Sequence, residues 1–191
     1  AFSRPRASGI IAVDLGPEDK LVGVALTDGR REIILFSSGG KSIRFHEQEV
    51  RAMGREAAGV RGIRLGAAQR VNALIVVGDG YILTASEHGF GKLTPVEDFP
   101  LQGRGGQGVI ALQTSDRNGE MVGALQVERE DEVMLITSSG TLVRTAVSEI
   151  SVVGRNTQGV RLIRIPGGER LVGLGRVEAV NGEAGGAAGI A

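Results

Sequence analysis

The chain has 191 residues, 22 Lys+Arg against 22 Asp+Glu, and no Cys. That length allows one domain with a proper core, and the lack of Cys excludes disulfides and thiolate metal sites and fits a reducing compartment. The zero formal net charge argues against a uniformly basic nucleic-acid binder, while leaving room for one basic and one acidic edge.

The chain opens at Ala1 with no initiator Met, which reads as a processed or excised piece. No charged-then-apolar leader follows. The longest apolar runs, such as "ALIVV" at 73–77, fall far short of the roughly 20 residues that span a bilayer. The expected location is the cytoplasm. Gly supplies 31 residues, about twice its usual share, and there is no Trp. Such a composition suggests many short strands joined by tight turns.

Taken in chain order, the segments repeat. "RPRASGIIAVDL" is followed by "LVGVALT" (21–27) and by "ILFSSGGKSIRF" (34–45), which folds back at Gly39-Gly40. "GREAAGVRGIRL" starts at Gly54, then "VNALIVV" (71–77), an Asp79-Gly80 turn and "ILTASEHGFGKLT" (82–94). "GRGGQGVIALQT" starts at Gly103, then "MVGALQV" (121–127) and "MLITSSGTLVRT" (134–145). "GRNTQGVRLIRI" starts at Gly154 and leads to "LVGLGRV" (171–177). The pattern G-R-x-x-x-G-V thus recurs at spacings of 49 and 51, and Gly9 lies 50 residues before Gly59, with Pro5 where the Arg would be. The chain holds three full repeats and a partial fourth at 159–178.

Each repeat reads as four strands. In the third copy they are expected at 109–115, 121–127, 132–138 and 141–147, with turns at Asn118-Gly119 and Ser139-Gly140. No convincing amphipathic helix of 12 residues appears. Four strands per fifty-residue unit indicate an all-β, propeller-like fold of four-stranded blades. Blades are expected over residues 1–178. The Gly/Ala-rich tail 179–191 has little to bury and is expected to be disordered.

Several enzyme-like motifs fail on context. Gly103, Gly105 and Gly108 fit G-x-G-x-x-G, but a strand pattern follows them and not a helix. The sister copies put Glu56 and Asn156 at the middle position. "GGKS" at 39–42 lacks the partner glycine of a P-loop, since Leu35 stands there. His46 and His88 are the only histidines and have no metal-ligand spacing around them. Tyr81 follows a turn, and there is no G-x-S-x-G elbow. The carboxylates at 14–32 and 116–132 read as solvated edges. No catalytic or metal-ligating residue is assigned.

The positive charge follows the repeat. Residues 41–64 carry Lys41, Arg44, Arg51, Arg55, Arg61 and Arg64 against three acids, and residues 155–176 carry five Arg against Glu169 alone. Equivalent positions of a blade repeat fall on equivalent faces, so Arg55, Arg104 and Arg155 are expected along one rim. Arg44 and Arg144 join them, with Lys92 near the corresponding place, and Arg61/Arg161 and Arg64/Arg164 repeat as well. Such a rim beside Gly-rich loops suits a phosphate backbone. Without a base-reading helix and with few aromatics, contact should be non-specific, along a bent duplex. Charge and periodicity alone fit a protein-binding platform equally well.

Longer stretches add a resemblance. "SRPRASGIIAVDL", "VRAMGREAAGVRGIRL", "GFGKLTPVEDFPLQGRGGQGVIAL", "VMLITSSGTLVRTAVSEISVVGRNTQGVRLIR" and "LVGLGRVE" resemble the C-terminal domain of the bacterial DNA gyrase A subunit, over nearly all of residues 1–178. The equivalent domain of topoisomerase IV ranks second. A propeller-type protein-interaction platform is the alternative from another class, but the kelch-type Gly-Gly plus Tyr/Trp pattern is not evident. The resemblance implies a β-pinwheel whose blades exchange strands. It also implies that the domain wraps double-stranded DNA around its basic rim, so that the whole A2B2 enzyme, with ATP and Mg acting elsewhere, introduces negative supercoils. Its partners would be the rest of the gyrase A subunit and the gyrase B subunit. No cofactor and no catalytic residue would lie in this chain, and Tyr81 inherits no catalytic role. The family's box Q-R-R-G-G-K-G is matched by Gln102, Arg104, Gly105, Gly106 and Gly108, while Gly103 and Gln107 stand where the family has Arg and Lys. That departure marks the segment as a later blade's echo, with the true box expected before residue 1. There is room for about three and a half blades, so an open arc is expected instead of a closed ring.

Overall fold

The computed structural model describes residues 7–177. The expected tail, 179–191, lies outside them. Among these described residues eleven strands run in chain order: β1 (Glu32–Ser37), β2 (Lys41–His46), β3 (Val71–Val76), β4 (Tyr81–Ser86), β5 (Phe90–Pro95), β6 (Val109–Ile110), β7 (Met121–Val127), β8 (Glu132–Thr137), β9 (Leu142–Ala146), β10 (Val160–Arg161) and β11 (Leu171–Val177). Helical structure among the described residues is limited to three single 3₁₀ turns at Glu47–Glu49, Val96–Asp98 and Val147–Glu149.

Three hairpins carry the repeat: β1–β2, β4–β5 and β8–β9. Each turns through a glycine at positive φ, namely Gly40, Gly89 and Gly140. Only glycine takes that conformation without Cβ strain. Val, Ile, Leu and Phe fill the strands, as expected of a pleated, half-buried surface.

The blades are not contiguous in sequence. Blade 1 has the order β3-β1-β2-β6, blade 2 has β7-β4-β5-β10, and blade 3 has β11-β8-β9. A hairpin therefore takes one strand from the next repeat and its outer strand from the repeat after that. The four strands expected in the third copy are shared among three sheets: β6 in blade 1, β7 in blade 2, and β8–β9 in blade 3. The first of them is also shorter than expected, ending at Ile110 and not at 115. Hydrophobic alternation marks a strand but does not name its partner. The exchange of strands is the feature the family resemblance implied.

Blades pack face to face, so the core lies between sheets. Ile34, Phe36, Ala73 and Ile75 of blade 1 meet Ile82, Met121 and Ala124 of blade 2 and the intervening Val96 and Phe99. The Phe36 and Phe99 rings meet edge to face at 5.9 Å. Leu83, Leu93 and Val127 pack against Val133 and Val147 in the next interface. Neighbouring sheets meet along β3, β7 and β11, which leaves β6 and β10 as the opposite, outer edges.

Two repeat copies do not form strands. Residues 21–27, the counterpart of β3, β7 and β11, have no ladder partner. Residues 60–61, the counterpart of β6 and β10, are likewise unpaired.

Candidate nucleic-acid interface

The repeated G-R-x-x-x-G arginine turns inward along the chain. Arg55 Nη1 donates to the Ile11 carbonyl at 2.8 Å. Arg104 Nη1 donates to the Arg61 carbonyl at 2.6 Å, and its Nε to the Glu49 carbonyl at 3.3 Å. Arg155 Nη1 donates to the Ile110 carbonyl, and its Nε to the Asp98 carbonyl at 3.0 Å. Ile11, Arg61 and Ile110 occupy the same place in successive repeats. Each arginine thus latches its loop to the preceding repeat. All three are partly buried.

Arg44 and Lys92, both expected on the rim, are corrected by their surroundings. Arg44 is enclosed by Glu32 and by the Val96 and Phe99 carbonyls, at 3.0 Å each, and its side chain is only 18% exposed. It ties blade 1 to the 3₁₀ turn after β5. Lys92 has no exposed surface. Its ammonium donates to the carbonyls of Gly154 (2.8 Å), Arg155 and Thr157 (3.3 Å) and to the Thr157 hydroxyl (3.1 Å). The parallel bridges Arg44–Leu101 and Leu93–Val152 show why. The position equivalent to Arg44 is Leu93, so Lys92 is offset by one residue, and one residue along a strand changes face. Lys92 therefore matches the buried Ile43 and sits beneath the 154–157 loop. Burial, with the nearby Arg155 charge, pushes its ammonium down to about 8 from the usual 10.5. Arg144 remains 58% exposed but is paired with Glu132.

The other expected cations face solvent. Arg61, Arg64, Arg161 and Arg164 are exposed, and Lys41 is half-buried. Lys41, on β2, sits opposite Ile110 of the outer strand β6. It lines one open hollow together with Arg64 and Gln107, the box position where the family resemblance has Lys. The Arg64 amide is fixed by the Gly106 carbonyl at 2.8 Å. On blade 2, Arg161 of β10 lies over the Phe90 ring at 4.5 Å, and Arg117 lies over the same ring at 4.9 Å. Arg117 is not one of the repeat positions read from the sequence, because it has no cationic counterpart in the sister copies. Its only signal there is its place beside the Asn118-Gly119 turn.

The box segment 102–108 is a tight inter-blade loop. The Gln102 amide donates to the Arg44 carbonyl (2.7 Å), the Arg104 amide to the Glu49 carboxylate (2.8 Å) and the Gly105 amide to the Gly62 carbonyl (2.6 Å). Gly103 and Gly106 are exposed, and Gly105 and Gly108 hold positive φ. The loop runs into β6, not a helix, so it lacks the helix N-terminus of a dinucleotide cradle. His46 lies 3.8 Å from Glu32, His88 contacts the Arg117 carbonyl, and Tyr81 lies under Arg129. Among the described residues no helix is long and apolar enough to cross a membrane.

These blades of exchanged strands, stacked face to face around a fifty-residue repeat, define a propeller-type repeat domain. The model of the DNA gyrase C-terminal domain, beta-propeller, matches residues 2–28, 31–77, 80–128 and 131–178, and the chain belongs to that family. It is 56% identical over 182 residues to the DNA gyrase A subunit of Pseudomonas aeruginosa, covering 95% of this chain and 20% of that protein. Against the Escherichia coli K12 counterpart it is 54% identical over 177 residues, covering 92% and 20%. The chain thus spans about a fifth of the length of these relatives. A solved DNA gyrase A C-terminal domain superposes with a TM-score of 0.81 at 23% identity, covering 88% of this chain and 58% of that one. A C-terminal domain of DNA topoisomerase IV gives 0.87 at 25%, covering 93% and 56%.

Proposed function

We propose that this chain binds double-stranded DNA without sequence preference and bends it along its outer edges, as the C-terminal part of a gyrase A subunit. In that role it supports ATP-dependent negative supercoiling by the assembled A2B2 enzyme, a type II topoisomerase. The observation that carries this reading is the set of exposed or half-buried cations beside β6 and β10: Lys41, Arg61, Arg64, Arg161 and Arg164. None of their side chains holds an acceptor among the described residues. Guanidinium and ammonium groups without an acceptor, recurring at matched positions of the repeat, suit charge-assisted contact with a phosphate backbone. The absence of a recognition helix among the described residues favours backbone contact over base readout. The gyrase relatives support the assignment to this enzyme over topoisomerase IV. The latch arginines Arg55, Arg104 and Arg155 contribute to the rim through position, since their donors already hold carbonyls.

The test is a salt titration of binding to a long duplex. Each phosphate contact contributes about 0.9 to the slope of log K against log salt. Replacing Arg61, Arg64, Arg161 and Arg164 by Ala flattens that slope. A slope unchanged by all four removes them from the DNA face.

A further inference from the structure

Arg117 and Arg161 lie over one ring, that of Phe90, at 4.9 and 4.5 Å. They come from different segments. Arg161 is in β10, directly opposite Phe90 of β5. Arg117 comes from the connection between β6 and β7, where the sister copies carry Ala67-Ala68 and Gly167-Gly168. Blade 1 fills the same cross-strand pair the other way round, with Lys41 on the hairpin and Ile110 on the outer strand. Each blade thus keeps one cation and one apolar residue at that pair, and blade 2 alone of the two adds a second cation.

The second cation stands on a fixed backbone. Its neighbour Asn118 has no exposed surface. The Asn118 amide nitrogen donates to the Gln113 carbonyl (2.7 Å) and the Gln158 carbonyl (3.4 Å), and its oxygen accepts from the Ser115 amide (2.8 Å). The His88 ring meets the Arg117 carbonyl at 3.1 Å. The loop before Gln158 is pinned from beneath by the Lys92 ammonium, where blade 1 has the apolar Ile43. Phe90 is only 3% exposed, so the ring is a rigid support. Both guanidiniums are exposed. Arg117 has one weak partner among the described residues, the Gln158 side-chain oxygen at 3.5 Å, and the nearby Glu120 is paired with Arg70. A ring face attracts a guanidinium and leaves its N–H edge open. Two like charges on one ring repel, and an anion bound to both relieves that repulsion.

We propose that Arg117 and Arg161, carried on Phe90, form one preformed phosphodiester site at the outer edge of blade 2, and that this is the principal point at which a duplex holds the chain. The inference rests on reading the chain as a DNA-binding domain. It adds to that reading a cation outside the repeat and an uncharged ring that positions two donors.

Binding of the 191-residue chain to a long duplex, titrated against salt, supplies the first test. Arg117→Ala should weaken binding about tenfold and take about 0.9 from the slope. Phe90→Leu removes no charge. It should weaken binding about threefold at an unchanged slope, with no further effect in a chain that already carries R117A and R161A. An equal loss in both backgrounds overturns the role of the ring. Arg117→Lys leaves the core untouched, keeps the charge and loses the planar fork, so it should keep the slope without the affinity. Full affinity in Arg117→Lys overturns the need for a guanidinium there. An Arg117→Ala chain that binds like the parent overturns the site and leaves the wider rim standing. A slope that falls with Arg117→Ala but not with the Arg61 and Arg64 changes upholds the site and overturns the wider rim. The second test uses no DNA. Inorganic phosphate should shift the Nε–H resonances of Arg117 and Arg161 together, and a shift at neither overturns the site. A phosphate response in a chain that fails to bind duplex overturns the DNA reading and not the anion site.

Discussion

A guanidinium has five donors in one plane and can either hold carbonyls or meet phosphate. At Arg104 and Arg155 the carbonyls of the preceding repeat take them. Arg104→Ala or Arg155→Ala should therefore act first on stability. Each leaves two backbone carbonyls short of a donor, at a cost of about 1–2 kcal/mol, measurable as a lower urea midpoint. Arg64→Ala should change stability by no more than about 0.5 kcal/mol and weaken DNA binding instead. If Arg64→Ala unfolds the protein as readily as Arg104→Ala, the division between latch and rim is wrong. Lys92 gives a pH signature. Its folded pKa lies near 8 and its ordinary value is 10.5. Between those pH values the unfolded chain binds more protons, so its contribution to stability rises with pH, and the penalty is constant below the window. Lys92→Met leaves the same carbonyls without a donor. It should be less stable than the parent throughout, with the gap widening from about pH 8 to 10.5. A gap that stays constant across that range would show that Lys92 does not titrate there. The repeating arginines are plain in the sequence. Latch and rim are not separable there, because both need one cation per repeat.

At the scale of the element, glycines decide where blades can join. An added Cβ at Gly108 would lie 2.2 Å from the Ser42 carbonyl, and at Gly159, 2.5 Å from that of Gly91. Both hold positive φ. The two outer strands, β6 and β10, thus start after a residue with no room for a side chain and a backbone only glycine adopts easily. Gly108→Ala should detach β6 from β2 and cost about 2 kcal/mol or more. The expected readout is lost exchange protection at the Ser42–Val109 pairing, with β4–β5 unaffected. Retained protection there would mean that the loop shifts to absorb the methyl. Hairpins and their turns were legible in "SSGG" and "SSGT", since positive φ and alternation are local properties. The assignment of strand 109–110 to a hairpin at 32–46 was not, because that pairing is long-range and the intervening residues carry no mark of it.

Across the whole molecule, zero net charge conceals separation. Acids neutralise Arg44, Arg144 and Arg176, while Arg61, Arg64, Arg161 and Arg164 are exposed and have no acidic partner among the described residues. Binding should therefore fall steeply with salt despite an isoelectric point near 7. The quadruple Ala variant should lose about 0.9 of slope for each contact removed. It should also fail to compact a relaxed circular duplex when topology is assayed. The fifty-residue period, the β-rich class and the placing of cations at matched positions follow from the sequence alone, because spacing, alternation and charge are written residue by residue. Which strands share a blade, that Lys92 lies inside and Arg64 outside, and that residues 21–27 stand unpaired were decided only by the tertiary structure. Partner choice, and the one-residue shift that turns a side chain from solvent to core, depend on register between segments far apart in the chain.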